Sequence, residues 1–365
     1  MRIDEVSVFH VSMPLKAPWK TSFSVETAID TVLVRLRSGD MVGWGETAPY
    51  AVPQFCPEWA AGVFLLIRDV FAPLVTGREI DSGAALQDLL GSFKGNWFAK
   101  AALDTAWWDL AARIEDRPLW QMIGGTAPDV AVGADIPVQD SMAALHDGVR
   151  AAVDGGFSRT KLKFRPDSGV GMVASVREAF PDMPLHIDCN SGFTLDDMDL
   201  FRELDTLGLV MIEQPLGWQD LIDHAKLQAE LETPICLDET ITSVEIAKQA
   251  VETGASRWIN IKHGRVGGLT NAIEIQRYCT GAGVPCWVGG MLESNVGQGV
   301  SLALATLPGM AYAADIFPRG RLYETDLAAP DIVLNGPGTI TAPDRPGHGF
   351  APDPGRLTLR TVSRG

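Results

Sequence analysis

The sequence has no apolar run near the roughly 20 residues of a membrane span, so neither a transmembrane helix nor a membrane partner is expected. Its N-terminus, Met1-Arg2-Ile3-Asp4-Glu5-Val6, alternates polar and apolar residues and lacks the unbroken core of a signal peptide. The five cysteines (Cys56, Cys189, Cys236, Cys279, Cys286) are odd in number, scattered, and without a Cys-x-x-Cys pair. That argues against a disulfide framework and a zinc site and suits a reducing cytoplasm. Basic residues are outnumbered, 30 Lys+Arg against 46 Asp+Glu in 365 residues, for a net charge of −16. No basic stripe relieves the imbalance, so no nucleic-acid partner is expected, and an anionic substrate is awkward unless a cation shares its site. A Gly-x-Gly-x-x-Gly turn is also missing, which disfavours a doubly wound open sheet.

What remains is ordinary for a folded enzyme, with 46% hydrophobic residues, 37 Gly and 23 Pro, and the length favours two domains. Residues 1–124 read as an α+β capping domain. Val6–Val11 and Thr31–Leu36 are strand-like, and Ser38-Gly39-Asp40 is a turn signal. Phe98, Ala102, Ala106 and Leu110 recur every four residues on a helical stretch, where Trp107 and Trp108 read as core. Residues 125–320 change texture. Eight short apolar runs alternate there with helical stretches: Val130–Val138, Thr160–Phe164, Leu185–Asp188, Leu209–Gln214, Ile235–Glu239, Trp258–Lys262, Pro285–Gly289 and Met310–Phe317. That pattern predicts a modified TIM (β/α) barrel of the α/β class. Thr194-Leu195-Asp196-Asp197 carries a capping-box signal for a helix start. The tail, 321–365, mixes strand-like pieces with Pro and Gly and is expected to return to the capping domain.

The informative feature is a spacing. Lys163, Asp188, Glu213, Asp238 and Lys262 fall at the ends of successive runs, at intervals of 25, 25, 25 and 24 residues. One βα unit takes about that many, so five consecutive strands each deliver one charge to the C-terminal face, where such barrels build active sites. Any one of these charges alone reads as a solvated rim residue; five at one-unit spacing do not. Three carboxylates converging on a point repel one another, and a hard divalent cation removes the conflict. Oxygen ligands without His or Cys select Mg²⁺, with Mn²⁺ as a substitute. Lys161 and Lys163 share a strand face and both are catalytic candidates; their crowding, to which a bound metal adds, is expected to lower one pKa and free Lys163 to act as a base. Lys262 comes from the far side. By the same alternation Asn190 accompanies Asp188 and Asn260 accompanies Lys262, while Glu239 is expected behind the ligands, paired with a lysine. Two amines flanking a metal-held carboxylate suggest removal and return of an α-proton.

Lys161-Leu162-Lys163, Asp188-Cys189-Asn190, Glu213-Gln214-Pro215, Asp238-Glu239 and Ile261-Lys262 together resemble the signature of the enolase superfamily, muconate-lactonizing subgroup. Gly43-Trp44-Gly45-Glu46 and the stretch from Ala99 to Leu110 are similar to its capping domain, so the resemblance covers most of the chain. Ile259-Asn260-Ile261-Lys262 running into Gly264–Thr270, and Gly289–Glu293, resemble the o-succinylbenzoate synthase / N-succinylamino acid racemase family. The resemblance implies that Asp188, Glu213 and Asp238 bind Mg²⁺ and that Lys163 and Lys262 are an acid/base pair. Arg265, three residues after the second lysine, is the arginine associated with the racemase branch. The implied reaction is racemisation of N-acyl, above all N-succinyl, amino acids. Dehydration to o-succinylbenzoate is the alternative, followed by muconate-type cycloisomerisation or dipeptide epimerisation.

Departures from the pattern carry information too. His263 stands where the family has proline, and alternation turns it away from Lys262. Near the eighth run only Asp315 appears, without the paired aspartates that dipeptide epimerases use for a substrate amine. Substrate contacts are expected from Arg265, Glu293 and Ser294 at the barrel mouth and from Phe23, Tyr50 and Phe55 in two aromatic-rich cap loops. A Schiff-base aldolase using Lys163 or Lys262, and a silent barrel that binds a carboxylate through metal, are the rivals from other classes. The carboxylate spacing speaks against the first and the paired lysines against the second. The expected partners are a small-molecule carboxylate and, from the Trp- and Pro-rich loops, further copies of the chain in a homo-oligomer.

Overall fold

The computed structural model describes residues 1–318 and 320–365. The chain opens with a meander, β1 (Glu5–Lys20), β2 (Val25–Ser38) and β3 (Met41–Thr47). After several helices come β4 (Asp129–Ala131) and then a parallel series. It consists of β5 (Ala134–Ile136), β6 (Thr160–Lys163), β7 (Leu185–Asp188), β8 (Ile212–Glu213), β9 (Ile235–Leu237), β10 (Trp258–Ile261) and β11 (Cys286–Val288). The tail adds β12 (Ala328–Ala329), β13 (Thr339–Thr341), β14 (Ala351–Pro352) and β15 (Thr361–Arg364).

The first sheet has the order β15-β1-β2-β3, so the last strand pairs antiparallel with the first, Phe9 opposite Arg364. Val8, Val32, Leu33, Val34 and Leu36 are fully buried, and the sheet packs on the helix Trp97–Ile114. Alternation explains the Gly-Trp-Gly-Glu string: Gly43 and Gly45 lie on one face of β3, against that helix. A Cβ on Gly43 would sit 2.4 Å from the Leu110 nitrogen, and one on Gly45 would sit 2.3 Å from the Ala102 oxygen. Glu46 then closes the interface with the barrel. Its buried carboxylate accepts from Ser294 N (3.0 Å), Ser294 Oγ (2.5 Å), Gly297 N (2.9 Å) and Thr31 Oγ1 (2.8 Å).

The parallel strands follow chain order, β11-β10-β9-β8-β7-β6-β5. Two of the expected runs differ in detail. Val130–Val138 splits: β4 pairs antiparallel with β13, and only β5 joins the barrel. The break falls at Gly133, where a Cβ would lie 2.0 Å from Arg159 Nε. Met310–Phe317 forms no named strand; Ala311 N to Cys286 O (2.8 Å), Asp315 N to Val288 O (2.9 Å) and Gly133 N to Ala314 O (3.0 Å) close the ring in its place. The capping box at Thr194–Asp197 forms both its bonds, but it opens a 3₁₀ turn, Leu195–Asp197, ahead of the helix Met198–Asp205. The aromatic stretch Pro18–Phe23 is the end of β1 and its hairpin turn rather than a loop throughout.

All five cysteines are free. Among the described residues no helix is long and apolar enough to cross a membrane, and Trp59 is the one tryptophan that is exposed. Because β3 and its helix meet backbone to backbone, Gly45→Ala should destabilise the fold by about 1–3 kcal/mol through overpacking. An unchanged urea midpoint would show that the contact relaxes freely.

Candidate active site

Register places the charges side by side. Lys163 is paired with Asp188 across β6 and β7, and Asp188 with Glu213 across β7 and β8. Glu213 is level with Cys236, so Asp238 stands two residues further along, just past the end of β9. Lys262 follows Ile261 at the end of β10. The stagger of a tilted barrel brings these onto one mouth. The turn after β8 is held by Gln214 in a left-handed conformation (φ 38°), and its Oε1 accepts from Asp238 N (3.0 Å) and Thr240 N (3.2 Å). Asn190, Ser191, Leu292 and Tyr50 also have positive φ. Such backbone concentrates where loop ends are over-determined by their surroundings, as at active sites.

Each lysine rests on a carboxylate. Lys163 Nζ donates to Asp188 Oδ2 at 2.6 Å and Lys262 Nζ to Asp238 Oδ2 at 2.7 Å. Glu213 lies between, accepting from Asn260 Nδ2 at 2.7 Å, with Lys161 Nζ 3.6 Å and His186 Nε2 3.3 Å from its Oε2. Burial works against ionisation of Glu213, but the Lys161 ammonium and His186 hold it well below the usual carboxylate range. Among the described residues no three acidic, His or Cys side chains are gathered as the ligands of one ion. Asp188 turns to Lys163, and Asp238 to Arg265 and Lys262. The donor set nevertheless fits a hard cation, being three buried carboxylates, and Glu213 Oε2 has no hydrogen-bond partner.

Lys161 is buried. It is held by Asp315 (2.5 Å) and Asp135 (3.4 Å), both buried, and Asp315 also takes Arg159. Crowding by Lys161 does not by itself lower the Lys163 pKa. Burial opposes its charge, yet Asp135 and Asp188 outweigh both burial and the neighbouring Lys161 and hold it above its ordinary value. Glu239 pairs with Asn190 Nδ2 (3.4 Å) and with no lysine, and burial together with Asp188 pushes it up to about 7.

The six expected substrate contacts divide. Phe23, Tyr50 and Phe55 form one aromatic cluster with ring centroids 6.2–6.5 Å apart, and Lys262 Nζ lies 4.9 Å from the Phe55 ring centre. The other three are engaged by protein. Arg265 donates to Asp238, to Ile241 O (2.6 Å) and to Asn260 O (2.6 Å). Ser294 caps the helix Asn295–Ala305 and binds Glu46, a role that corrects its expected contact with substrate. Glu293 turns to Met291 N (2.8 Å) and lies 3.8 Å from His263, whose imidazole burial lowers to about 4. The reading of spacing missed Asp135, His186 and Arg159. The signal was available: His186 is two residues before Asp188 on one strand face, and Asp135 is the lone acid in an apolar first run.

Asp315 holds two buried cations, so Asp315→Ala should cost about 3–5 kcal/mol by leaving Arg159 and Lys161 uncompensated. A loss below about 1 kcal/mol in urea unfolding would mean that Asp135 and Glu213 suffice for them.

Comparison with known proteins agrees with this fold. Residues 144–356 match the enolase C-terminal domain-like family, and residues 3–124 match the mandelate racemase / muconate lactonizing enzyme N-terminal domain. The chain is 40% identical over 354 residues to the o-succinylbenzoate synthase of Geobacillus stearothermophilus, covering 97% of this chain and 94% of that one. It is 41% identical over 327 residues to the N-succinylamino acid racemase of Thermus thermophilus, covering 90% and 89%. An enolase-superfamily structure from Listeria innocua superposes with a TM-score of 0.96 at 36% identity, covering 100% of this chain and 98% of the other. The chain is an enzyme of the enolase superfamily, in its mandelate racemase / muconate lactonizing group.

Proposed function

We propose that this enzyme removes the proton α to a carboxylate with the help of Mg²⁺ and, in the favoured reaction, racemises N-acyl amino acids of the N-succinyl type. The observation that carries the reading is the placement of two amines at opposite ends of one carboxylate row, Lys163 on Asp188 and Lys262 on Asp238. Racemisation needs a base on one face of the α-carbon and an acid on the other, with the two exchanging roles for the opposite enantiomer. Asp188, Glu213 and Asp238 would hold the metal. Bound there, Mg²⁺ supplies positive charge where the substrate carboxylate takes on negative charge. Lys163 and Lys262 move the proton. Asn260 and His186 hold Glu213, Arg265 and Gln214 hold Asp238, and the Phe23–Tyr50–Phe55 cluster covers the mouth and excludes water.

The second reading is dehydration to o-succinylbenzoate. It is favoured by the name of a relative matched over nearly the whole chain, and it needs Lys163 as base with Lys262 only steadying the anion.

Solvent-deuterium exchange at the α-carbon separates the two. A racemase incorporates deuterium from both enantiomers of an N-succinyl amino acid, and Lys163→Ala and Lys262→Ala each abolish exchange from a different one, by about 10²–10⁴-fold. Exchange from one enantiomer only, with β-elimination on the carbocyclic acid, would favour the dehydratase. EDTA should end the activity and Mg²⁺ or Mn²⁺ restore it; activity that survives EDTA, with a borohydride-trapped lysine adduct, would overturn the reading in favour of an aldolase.

A further inference from the structure

Asp135 is not accounted for by the acid/base pair or by the carboxylate row. It lies on β5, in register with Lys161, and is 4% exposed. Its Oδ2 stands 3.4 Å from Lys161 Nζ and 3.8 Å from Lys163 Nζ, while Oδ1 is buried with no hydrogen-bond partner. Lys161 is bound more closely by Asp315, at 2.5 Å. Asp135 is therefore an acceptor facing the lysine pair with one oxygen unspent, and a buried unpaired carboxylate oxygen is costly.

Position decides what it could receive. Asp188 flanks Lys163 on the β7 side and Asp135 on the β5 side. A substrate brought with its α-carbon within about 3–3.5 Å of Lys163 Nζ would lie beside Asp135 as well as Asp188. An apolar side chain there would bury the free oxygen further. An N–H bonded to the α-carbon would satisfy it.

We propose that Asp135 is a specificity-determining residue whose Oδ1 accepts the α-N–H of the substrate, selecting α-amino-acid derivatives over carboxylates that carry carbon or oxygen at that position. This rests on the α-proton chemistry proposed above and names the substrate class for the same site.

The test compares an N-succinyl amino acid with its ester analogue, in which oxygen replaces the N–H at nearly constant shape. The KM for α-deuterium exchange is read with the Mg²⁺-loaded enzyme. The wild type should favour the amide by about tenfold or more, as expected for a hydrogen bond to a charged group. Asp135→Ala should bring the ratio near one, and Asp135→Asn, which keeps an acceptor oxygen, should retain most of it. Equal KM values in the wild type would overturn the proposal without any variant, so it stays falsifiable if Asp135→Ala does not fold. A variant that weakens both substrates by one factor would also overturn it, showing a structural role. If neither compound exchanges, the α-proton reading itself falls and this inference with it; exchange of both with equal KM sinks only Asp135.

Discussion

The constraint on which the site depends is that charge inside a barrel must be compensated where it stands. Arg159, Lys161, Lys163, Lys262 and Arg265 face Asp135, Asp188, Glu213, Asp238 and Asp315, and every one of these cations has a carboxylate within ion-pair reach. The buried Glu239 and Glu293 add further acid beside them. A divalent ion bound there would add positive charge, against which a carboxylate could be held. The acidic surface, with its net charge of −16, is therefore no obstacle to an anionic substrate, because the attraction is local and buried.

The same constraint explains why the carboxylates stand as they do. The acids at either end of the row have cations at hand, Lys163 for Asp188 and both Lys262 and Arg265 for Asp238. Asp188 and Asp238 lie at the ends of the row and find them; Glu213, in the middle, keeps an oxygen without a hydrogen bond. The held positions around the row matter as much as the row itself. Gln214 fixes the turn that presents Asp238, and Asn260 reaches across from β10 to Glu213. These bonds set the direction of each carboxylate before any ligand arrives.

Much of the architecture was legible because it rests on periodicity. Five charges at one-unit spacing announced parallel strands with a common open end, and Gly43 and Gly45 marked where a strand meets a helix at backbone distance. What spacing could not show was closure. The eighth segment holds the ring by separate hydrogen bonds, without a continuous ladder, and Gly133 breaks the first run because Arg159 fills the space of its missing side chain. Nor could alternation along one strand reveal contacts between strands. Asp135, Arg159, His186 and Asp315 meet around Lys161 only when β5, β6, β7 and the eighth segment stand side by side. Ser294 read as a pocket residue because it follows Glu293 at a strand end; its partner, Glu46, lies 248 residues away.

Relatives bearing two different reaction names match this chain almost equally, so the acid/base pair alone does not choose between them. In the function proposed above, either reaction would use the same carboxylate row. The choice must lie in what stands beside the row. Arg265 illustrates how such a residue acts: its guanidinium is spent on Asp238 and two backbone carbonyls, so a direct hold on substrate would require breaking those bonds. Through Asp238 it is also linked to Lys262, which donates to the other oxygen of the same carboxylate. Asp135 stands beside Lys163 at the opposite end of the row with an oxygen to spare. The two ends of one symmetric-looking row are thus set by different neighbours.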